Sequence, residues 1–578
     1  MSDSAFLTIM FSFGALMALC TLVYVIKHAF GRSSGEIGGW ELRGARQRIT
    51  AVMRTTIAEG LRANVASGFA LMILISIPLF WATAEGDGTI KGRVQMFISS
   101  SMGFAGFLLA ILTILFSCRS LSTEISSRQI YGIVSKPVPR WQIIAGKWCG
   151  VMLVNTALLF LAAVMTYAGT HLTVERFKTH LKSDLEAYGN LTPDQAETSV
   201  AALSQVKGVG KSGMESPLIT TFAERLGKTR EEVGDMLLRL PEATRVDLRR
   251  FDELRRRVLV ARHVISAPVP DFSEEIEAIY QKLKEEDRLP HDWTVDRIRR
   301  PIEAELVGAF CAIPYGEGRL WTLKGPPPEE GLGWVMSLRF KIRAPRQPLA
   351  TKVGAVTLEE DKLYCLWGLG DPGKTKFLST EDQYPINVFD EIEIPQQGVE
   401  EDGRVLVSFQ NIDPRKIEAI FDLPHDGLQS LYRVGPWELG LLQVVLAMLI
   451  PLSCLAAFGV CASTFLSFPV GALIVLTLYL ISSSMGFLAD SLAVTAEYAP
   501  PVEQRTLAYE TRRLTVAALD WALSIGDLDP VNKLMEGRSV GWGSLGDAAW
   551  KYFLLKGAAV MFIAVLTFRR RELAAVIV

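Results

Sequence analysis

The hydrophobic pattern of the chain is dominated by seven apolar stretches, each close to the length of a helix that crosses a bilayer. A hydrocarbon core about 30 Å thick requires roughly 20 apolar residues in helical conformation. The stretches that approach this length are residues 5–26, 65–83, 96–117, 148–170, 439–460, 471–488 and 550–568. The pattern therefore predicts a membrane protein with seven spans, of which the first is a span rather than a cleavable signal peptide.

Two of these spans need further argument. No charged residue occurs between positions 439 and 489, a stretch too long for one helix, and we expect the break near Ser467-Phe468-Pro469 because proline disrupts a helix interior. The last span contains Lys551 and Lys556, which we expect to extend to the interface. The predicted spans otherwise lack ionisable Asp, Glu, Lys, Arg and His, which argues against a proton-driven transporter.

Positive charge near the spans indicates their orientation. Lys27 and Arg32 follow the first span, Arg569-Arg570-Arg571 follow the last, and residues 119–147 carry five basic residues against the single acid Glu124. Short loops rich in Lys and Arg stay in the cytoplasm. We therefore predict a multi-pass protein of the cytoplasmic membrane with the N-terminus outside, the C-terminus inside and residues 171–436 extracytoplasmic.

A basic amphipathic helix is predicted between the first two spans, over Trp40–Arg62. Apolar residues recur at helical spacing and basic residues occupy the other side. The apolar set is Leu42, Ala45, Ile49, Val52, Met53 and Ile57, and the basic set is Arg43, Arg46, Arg48 and Arg54. Such a helix would lie on the cytoplasmic leaflet, and the alternative is a basic juxtamembrane linker.

The extracytoplasmic region changes character along its length. Residues 171–305 read as helical, with possible capping boxes opening at Thr192 and Thr229, and the Arg-rich run 245–262 reads as a solvated helix face. From residue 306 onward, apolar and polar residues alternate, as where Leu338, Phe340 and Ile342 stand between basic residues. The segments between these runs are rich in Pro and Gly. This pattern predicts a β-sandwich.

Composition excludes several classes of function. Lys and Arg number 60 against 62 Asp and Glu, so the balance suggests no nucleic-acid partner. The seven cysteines and six histidines form no metal-ligand cluster, and neither a cofactor nor a catalytic residue is indicated. Cys311 and Cys365 are either a disulfide or, as the favoured interpretation, two buried free thiols.

One motif invites a nucleotide-binding interpretation. The segment from Gly368 to Thr375 matches the P-loop pattern GxxxxGK[ST]. A phosphate cradle also needs a helix that begins at the Lys, and the residues that follow Thr375 show no sustained apolar face before Pro385. The segment is therefore predicted to be a turn between two strands.

The loop 119–147 carries a more informative order of residues. Glu124 precedes a turn at Gly132, followed by Pro137-Val138-Pro139-Arg140 and then Gly146-Lys147 at the start of the next span. This order resembles the first cytoplasmic loop of ABC-2 type transporter permeases, in which a Glu, a Gly, a Pro-x-x-Arg and a Gly-Lys recur. The predicted amphipathic helix before the six-span core is similar to that family too.

The resemblance implies a function and a set of residues. The family's loop inserts a short helix into a groove of a separate ATPase subunit and so couples ATP hydrolysis to the spans. Glu124 and Arg128 are expected to pair on one helix face. Carried onto this chain, the coupling residues are Glu124, Arg128, Ile130, Tyr131, Gly132, Ile133, Val134, Pro137, Arg140, Gly146 and Lys147.

The predicted fold is a mainly α-helical polytopic membrane protein, a six-span ABC-2 core with an extra N-terminal span and an extracytoplasmic α+β domain. Its partners would be an ABC ATPase subunit, a second permease subunit and the bilayer, and the chain itself would not be an enzyme. The predicted segments are 1–32, 40–64, 65–170, 171–305, 306–436, 437–490, an extracytoplasmic insertion at 491–549, and 550–578. The rival hypothesis is a membrane-anchored extracytoplasmic binding or scaffold protein, and the substrate is not indicated.

Overall fold

The computed structural model describes two compact units within the chain. The membrane unit comprises residues 1–179 and 437–578, and the insertion unit comprises residues 180–436. The residues described are 40–129, 138–189, 193–196, 229, 241–286, 295–326, 336–345, 351–353, 356–359, 361–375, 377–394, 396–423, 426–484 and 529–570. The predicted first span and both possible capping boxes lie wholly or partly outside this set.

The described part of the membrane unit is helical. Its helices are α1 Trp40–Arg62, α2 Val65–Thr83, α3 Ile90–Ser126, α4 Arg140–Gly189, α8 Trp437–Ser463, α9 Phe468–Ser483, α10 Pro530–Met535, α11 Trp542–Ala548 and α12 Ala558–Arg570. Five described helical stretches are long and apolar enough to span a membrane: α2, α3, α4, α8 and the continuous stretch Trp542–Arg570. The α9 helix, with 16 residues, is shorter. The number of seven spans stays a prediction.

Both arguments about the C-terminal spans can be compared with the structure. The break is confirmed, because α8 ends at Ser463, Ser467 is extended, and α9 opens with a proline in its first turn. The last span contains a π-helical segment, Ala549–Gly557, ahead of α12. Lys551 is exposed, but Lys556 is only 7% exposed, so the expected extension to the interface is wrong for Lys556.

Small residues and buried polar pairs hold the membrane helices together. A Cβ placed on Gly459 of α8 would lie 2.7 Å from the Cβ of Ser117, so α3 and α8 are in close backbone approach. Between α3 and α4, Asn155 Nδ2 donates to Thr113 Oγ1 at 2.7 Å and Thr166 Oγ1 to Ser101 at 3.1 Å. Such contacts replace the hydrophobic effect, which cannot drive helix association among lipid chains.

The insertion unit combines helices with strands. Its helices are α5 Glu242–Glu253, extended by a π-turn at Leu254–Val258, α6 Ser273–Glu285 and α7 Val295–Cys311. Its strands are β1 Val260–Ser266, β2 Ala312–Ile313, β3 Gly318–Lys324, β4 Met336–Arg343, β5 Thr351–Val353, β6 Val356–Leu358, β7 Lys362–Leu369, β8 Leu378–Pro385, β9 Phe389–Ile394, β10 Arg404–Asn411, β11 Ala419–Phe421 and β12 Leu428–Pro436.

The predicted β-sandwich is confirmed. One sheet has the order β1-β12-β4-β11-β2 with β9 also paired to β4, and a second has the order β3-β10-β7-β8. The two sheets pack through aromatic rings. Trp367 of the second sheet lies 4.5 Å from Phe340 and 5.9 Å from Phe421 of the first, measured between ring centroids. The alternating positions Leu338, Phe340 and Ile342 are all buried in this core.

The interpretation of the Arg-rich run as a solvated helix face is wrong for its C-terminal part. The helical conformation ends at Val258, and β1 then carries Arg262 into the sheet, where its guanidinium lies 2.8 Å from Glu391. Arg256 contacts Glu393 at 3.1 Å and also pairs with Asp252. Burial raises the pKa of the Asp252 carboxyl to about 6 although the Arg256 charge opposes the shift. Sequence periodicity does not reveal this network, because Glu391 and Glu393 lie on β9, more than a hundred residues from their arginine partners.

The P-loop-like segment is a hairpin turn, as predicted. Strands β7 and β8 pair antiparallel up to Leu369 and Leu378, and the backbone N–H groups of Lys374 and Thr375 donate to the Asp371 carbonyl. The Lys374 ammonium contacts Glu400 at 3.2 Å. No helix begins at Lys374 among the residues described around the turn, so the phosphate cradle lacks its essential part.

Cys311 and Cys365 are buried free thiols, which agrees with the favoured interpretation. Burial is the main cause that raises the pKa of each thiol. Both lie in the sandwich core and serve there as small apolar side chains.

Candidate coupling site

The first component of the site is a close contact between α1 and α4. Gly146 and Gly150 lie one helical turn apart on α4, and they face Val52 and Thr56, also one turn apart on α1. A Cβ on Gly146 would lie 2.7 Å from Val52 Cβ, and one on Gly150 would lie 2.8 Å from Thr56 Cβ. Real Cβ atoms do not approach so closely, so only glycine allows this spacing. The contact is a small-xxx-small arrangement of the kind that brings membrane helices together.

A buried ion cluster adjoins this contact. Lys147 is fully buried, and its ammonium pairs with Glu124 at the end of α3 and lies 3.3 Å from Glu59 Oε2 on α1. The Glu124 side chain is 5% exposed, while that of Glu59 is 43% exposed. A buried charge is tolerated only when it is paired, and loss of one partner costs about 3–5 kcal/mol. The cluster therefore ties together α1, α3 and α4.

The same ends of the helices share an apolar cluster. It joins Leu121 of α3, Ile143 and Ile144 of α4, Val460 of α8 and Phe568 of α12. Arg140, at the first residue of α4, donates from Nη1 to the carbonyls of Phe568 and Arg569, at 2.5 and 2.7 Å. A cation at a helix C-terminus satisfies carbonyls that lack a partner in the helix. Arg140 thus connects the start of α4 to the end of the last helix.

The connection between α3 and α4 is shorter than the polar segment 119–147 implied, because α3 continues to Ser126 and α4 begins at Arg140. Arg128 is exposed and has a left-handed backbone conformation with φ of 61°, beyond the end of α3. The expected pair between Glu124 and Arg128 is therefore wrong, since Glu124 points instead to Lys147. Residues 130–137, which include Ile130, Tyr131, Gly132, Ile133, Val134 and Pro137, lie outside the described residues.

Of the predicted coupling residues, four lie in the structured base of the loop: Glu124, Arg140, Gly146 and Lys147. Each makes a contact within the chain, and Glu124 and Lys147 contact each other. Sequence reasoning missed Glu59 and Gly150 as members of the site. The spacing Gly146-x-x-x-Gly150 was a signal for the helix contact, whereas Glu59 gave none, because acids on the polar side of an amphipathic helix are common.

Comparison with known protein families bears directly on this region. Residues 43–207 match the family model described as ABC-2 family transporter protein. The match covers most of α1 together with α2, α3 and α4, and hence Glu59, Glu124 and Lys147. This region belongs to the ABC-2 transporter family. No curated protein and no solved structure matches the chain.

The chain thus combines a segment that matches ABC-2 transporter proteins with a large insertion that contains a β-sandwich. The family places the chain in a membrane, in agreement with its apolar helices. A permease of this family is a transmembrane component rather than the catalytic one. The ion cluster and the glycine contact both fall inside the matched region and within the membrane unit.

The ion cluster yields the first prediction. We expect Glu124→Lys to lower the amount of folded permease in the membrane, because it would place a second ammonium group beside that of buried Lys147 and leave Glu59 as the one carboxylate of the cluster. This differs from the effect expected for an exposed loop residue, whose charge reversal would leave folding intact. The measurement is the yield of monodisperse protein after detergent extraction.

The exchange variant Glu124→Lys combined with Lys147→Glu is the control, because it restores one opposite-charge pair. Its yield should recover most of the loss, with a coupling energy of about 1–3 kcal/mol for residues in one network. Equal yields for Glu124→Lys and the parent protein would contradict a buried role for Glu124.

The glycine contact yields a second prediction. We expect Gly146→Ala to destabilise the permease by about 1–3 kcal/mol, because the methyl group would meet Val52 Cβ and the Ile49 carbonyl and push α4 from α1. The measurement is the thermal midpoint of the purified protein.

The matched control is Gly103→Ala on α3, where a Cβ has nothing within 4 Å. The same exchange there should leave the midpoint unchanged or raise it, because alanine favours a helix over glycine by about 1 kcal/mol. Similar decreases at both positions would mean that the α1–α4 approach is not the cause.

Proposed function

We propose that this permease moves a substrate across the cytoplasmic membrane with energy from ATP that a separate ABC ATPase subunit hydrolyses. The docking segment would be the connection between α3 and α4, residues 127–139. The observation that carries the proposal is the Glu59–Lys147–Glu124 cluster, which joins both ends of this connection to the amphipathic helix α1. The family match over the same helices supports it.

The contacts at the base of the loop suggest how motion would pass from the ATPase to the spans. A displacement of the loop acts on the end of α3 and the start of α4, which Lys147 holds to α1. Arg140 and the apolar cluster extend the connection to α8 and α12. A force at one short segment would therefore reach five helices, α1, α3, α4, α8 and α12.

The proposal also includes the orientation of the permease in the membrane and its number of subunits. Residues 119–147 and 569–571 are rich in Arg and Lys and would face the cytoplasm, which assigns the insertion unit to the opposite side. Two permease subunits, identical or different, would complete the transporter, because only 17% of the most apolar stretch of α2 and 29% of that of the last span are buried within one chain.

Docking is tested by a substitution in the loop. We expect Tyr131→Ala to weaken co-purification of the ATPase and to abolish its stimulated hydrolysis while membrane levels stay normal. An aromatic anchor of a helix-in-groove contact typically contributes about 2 kcal/mol, or roughly 30-fold in affinity. The measurement is ATPase activity of the reconstituted pair.

Tyr315→Ala is the matched control, since Tyr315 is an exposed tyrosine of the insertion unit. It should leave association and hydrolysis unchanged. Full ATPase association by the Tyr131→Ala protein would make the loop a plain connector and would favour the membrane-anchored scaffold.

Sidedness is tested by labelling of introduced cysteines in intact cells. We expect a membrane-impermeant maleimide to react with Arg250→Cys on α5, where the Arg250 side chain is 41% exposed, and not with Ser135→Cys. The parent chain provides the background of the native thiols. Reaction at position 135 alone would reverse the proposed topology.

A further inference from the structure

The outer face of the second sheet, β3-β10-β7-β8, carries a cavity of about 290 Å³ that is open to solvent. Side chains alternate between the two faces of a strand. Trp321 and Phe409 therefore point into the sandwich core, whereas Leu320 and Gln410 stand on the opposite face and are exposed. The lining comes from all four strands and lies within the insertion unit. Binding there would be independent of the proposed transport function.

Small residues on neighbouring strands form the floor of this cavity. Ser408 of β10 pairs with Gly368 of β7, and Gly368 pairs with Ser379 of β8. In the next row of the same face, Gly318 of β3 pairs with Gln410 of β10. Glycine has no side chain and serine has a short one, so the surface of the sheet is low along these positions. The depression therefore follows from the residue types that the strand register brings together.

An aromatic ring lies over this floor. A Cβ placed on Gly368 would lie 2.6 Å from Cζ of Phe377, so the ring rests directly on the glycine, and a larger residue at position 368 would displace it. Phe377 is nevertheless 44% exposed, and it lines the cavity. The ring is thus held against the sheet while part of its surface faces the cavity. The face of an aromatic ring is electron-rich and attracts polarised C–H groups.

Uncharged hydrogen-bonding groups share the cavity with this ring. Gln410 and Ser379 both line it and are exposed, and their amide and hydroxyl groups can each donate and accept hydrogen bonds. Arg319 also lines the cavity, but its Nη1 lies 3.6 Å from Glu317 Oε2, which offsets its charge. The cavity therefore combines an apolar ring surface with neutral groups of both hydrogen-bonding kinds.

We propose that this cavity binds an uncharged sugar ring of a carbohydrate chain. A pyranose ring has C–H groups on its faces, which complement the Phe377 ring, and hydroxyl groups at its edge, which complement Gln410 and Ser379. A cavity of about 150 Å³ holds benzene. A volume of about 290 Å³ therefore accommodates one pyranose ring with its hydroxyl groups, and the adjoining sugars would extend over the open side.

Two other classes of ligand complement the lining less well. An extended peptide gains affinity from main-chain hydrogen bonds to a free strand edge. On this face, β10 and β7 are each already paired with a strand on both sides. A purely apolar molecule would remove the Gln410 amide and the Ser379 hydroxyl from water without giving them a partner, which is costly. A sugar ring supplies partners for both groups.

Sugar binding is tested on the full-length permease in phosphatidylcholine nanodiscs, after purification in a detergent without a sugar head group. Isothermal titration calorimetry is performed with four soluble tetrasaccharides: cellotetraose, maltotetraose, mannotetraose and N-acetylchitotetraose. The comparison ligands are cyclohexanol, a largely apolar six-membered ring, and an uncharged tetrapeptide of serine and alanine. Heats measured with empty nanodiscs are subtracted. We expect at least one tetrasaccharide to bind with sub-millimolar affinity and both comparison ligands to bind more weakly.

Variants of the lining locate the bound sugar. Phe377→Ala should weaken the affinity for that tetrasaccharide about tenfold or more, because the aromatic anchor is lost, and Phe377→Tyr should retain it. Gln410→Ala should weaken binding severalfold through the loss of hydrogen bonds. Val388→Ala is the matched control, since Val388 is 54% exposed in the same unit and does not line the cavity. All three positions are exposed, so the thermal midpoints of the variants should equal that of the parent.

Several results would overturn the proposal. Absence of binding by all four tetrasaccharides would refute it outright, and tighter binding of cyclohexanol or of the tetrapeptide would assign the cavity to another class of ligand. Sugar affinity that is unchanged in both Phe377→Ala and Gln410→Ala, or that falls equally in Val388→Ala, would place the bound sugar elsewhere. The titration requires no ATPase, so its failure would leave the Tyr131→Ala experiment as a separate test of the transport function.

Discussion

The membrane unit depends on the burial of one ammonium group. The Lys147 side chain is fully buried, and its charge is balanced by carboxylates from two other helices. Removing an ion from water costs several kcal/mol, so the arrangement persists only while all three helices hold their positions. The ends of α1, α3 and α4 are consequently fixed together, and the short connection between α3 and α4 starts and finishes on a rigid base.

The two units are stabilised by different physics. In the sandwich, the rings of Phe340, Trp367 and Phe421 are removed from water between two sheets, and the hydrophobic effect supplies the driving force. Among the membrane helices, lipid is as apolar as the side chains, so close approach at Gly146 and Gly459 and polar pairs take that role. Buried glycines and threonines therefore indicate packing contacts in the membrane unit, as buried aromatic residues do in the insertion unit.

The periodicity of apolar residues predicted the features that depend on the local sequence pattern. The bounds of α1 and α2, the break before Pro469 and the alternating strands of the sandwich all follow from residue type and spacing. The hairpin at Gly368–Thr375 was predictable because a phosphate cradle needs a helix that this sequence does not encode. These features require no knowledge of distant residues.

The sequence alone does not show which distant residues pair with one another. Arg262 looked like part of a solvated helix face because its partner Glu391 lies on a strand more than a hundred residues later. Glu124 was expected to face Arg128, one turn away, and instead meets Lys147 on the next helix. Lys556 was expected to reach the interface, but it is buried. Its burial results from the packing of the helices, which the sequence does not show. A charge's partner is set by tertiary structure, and local spacing offers only the nearest candidate.

The glycine contact and the ion cluster constrain different degrees of freedom of the same helix pair. Contact at Gly146 and Gly150 sets the distance between the axes of α1 and α4, but by itself it does not prevent the two helices from sliding along each other. The bond from Lys147 to Glu59 fixes the axial register and so opposes shear. A hinge rotation about the glycine contact would preserve both contacts.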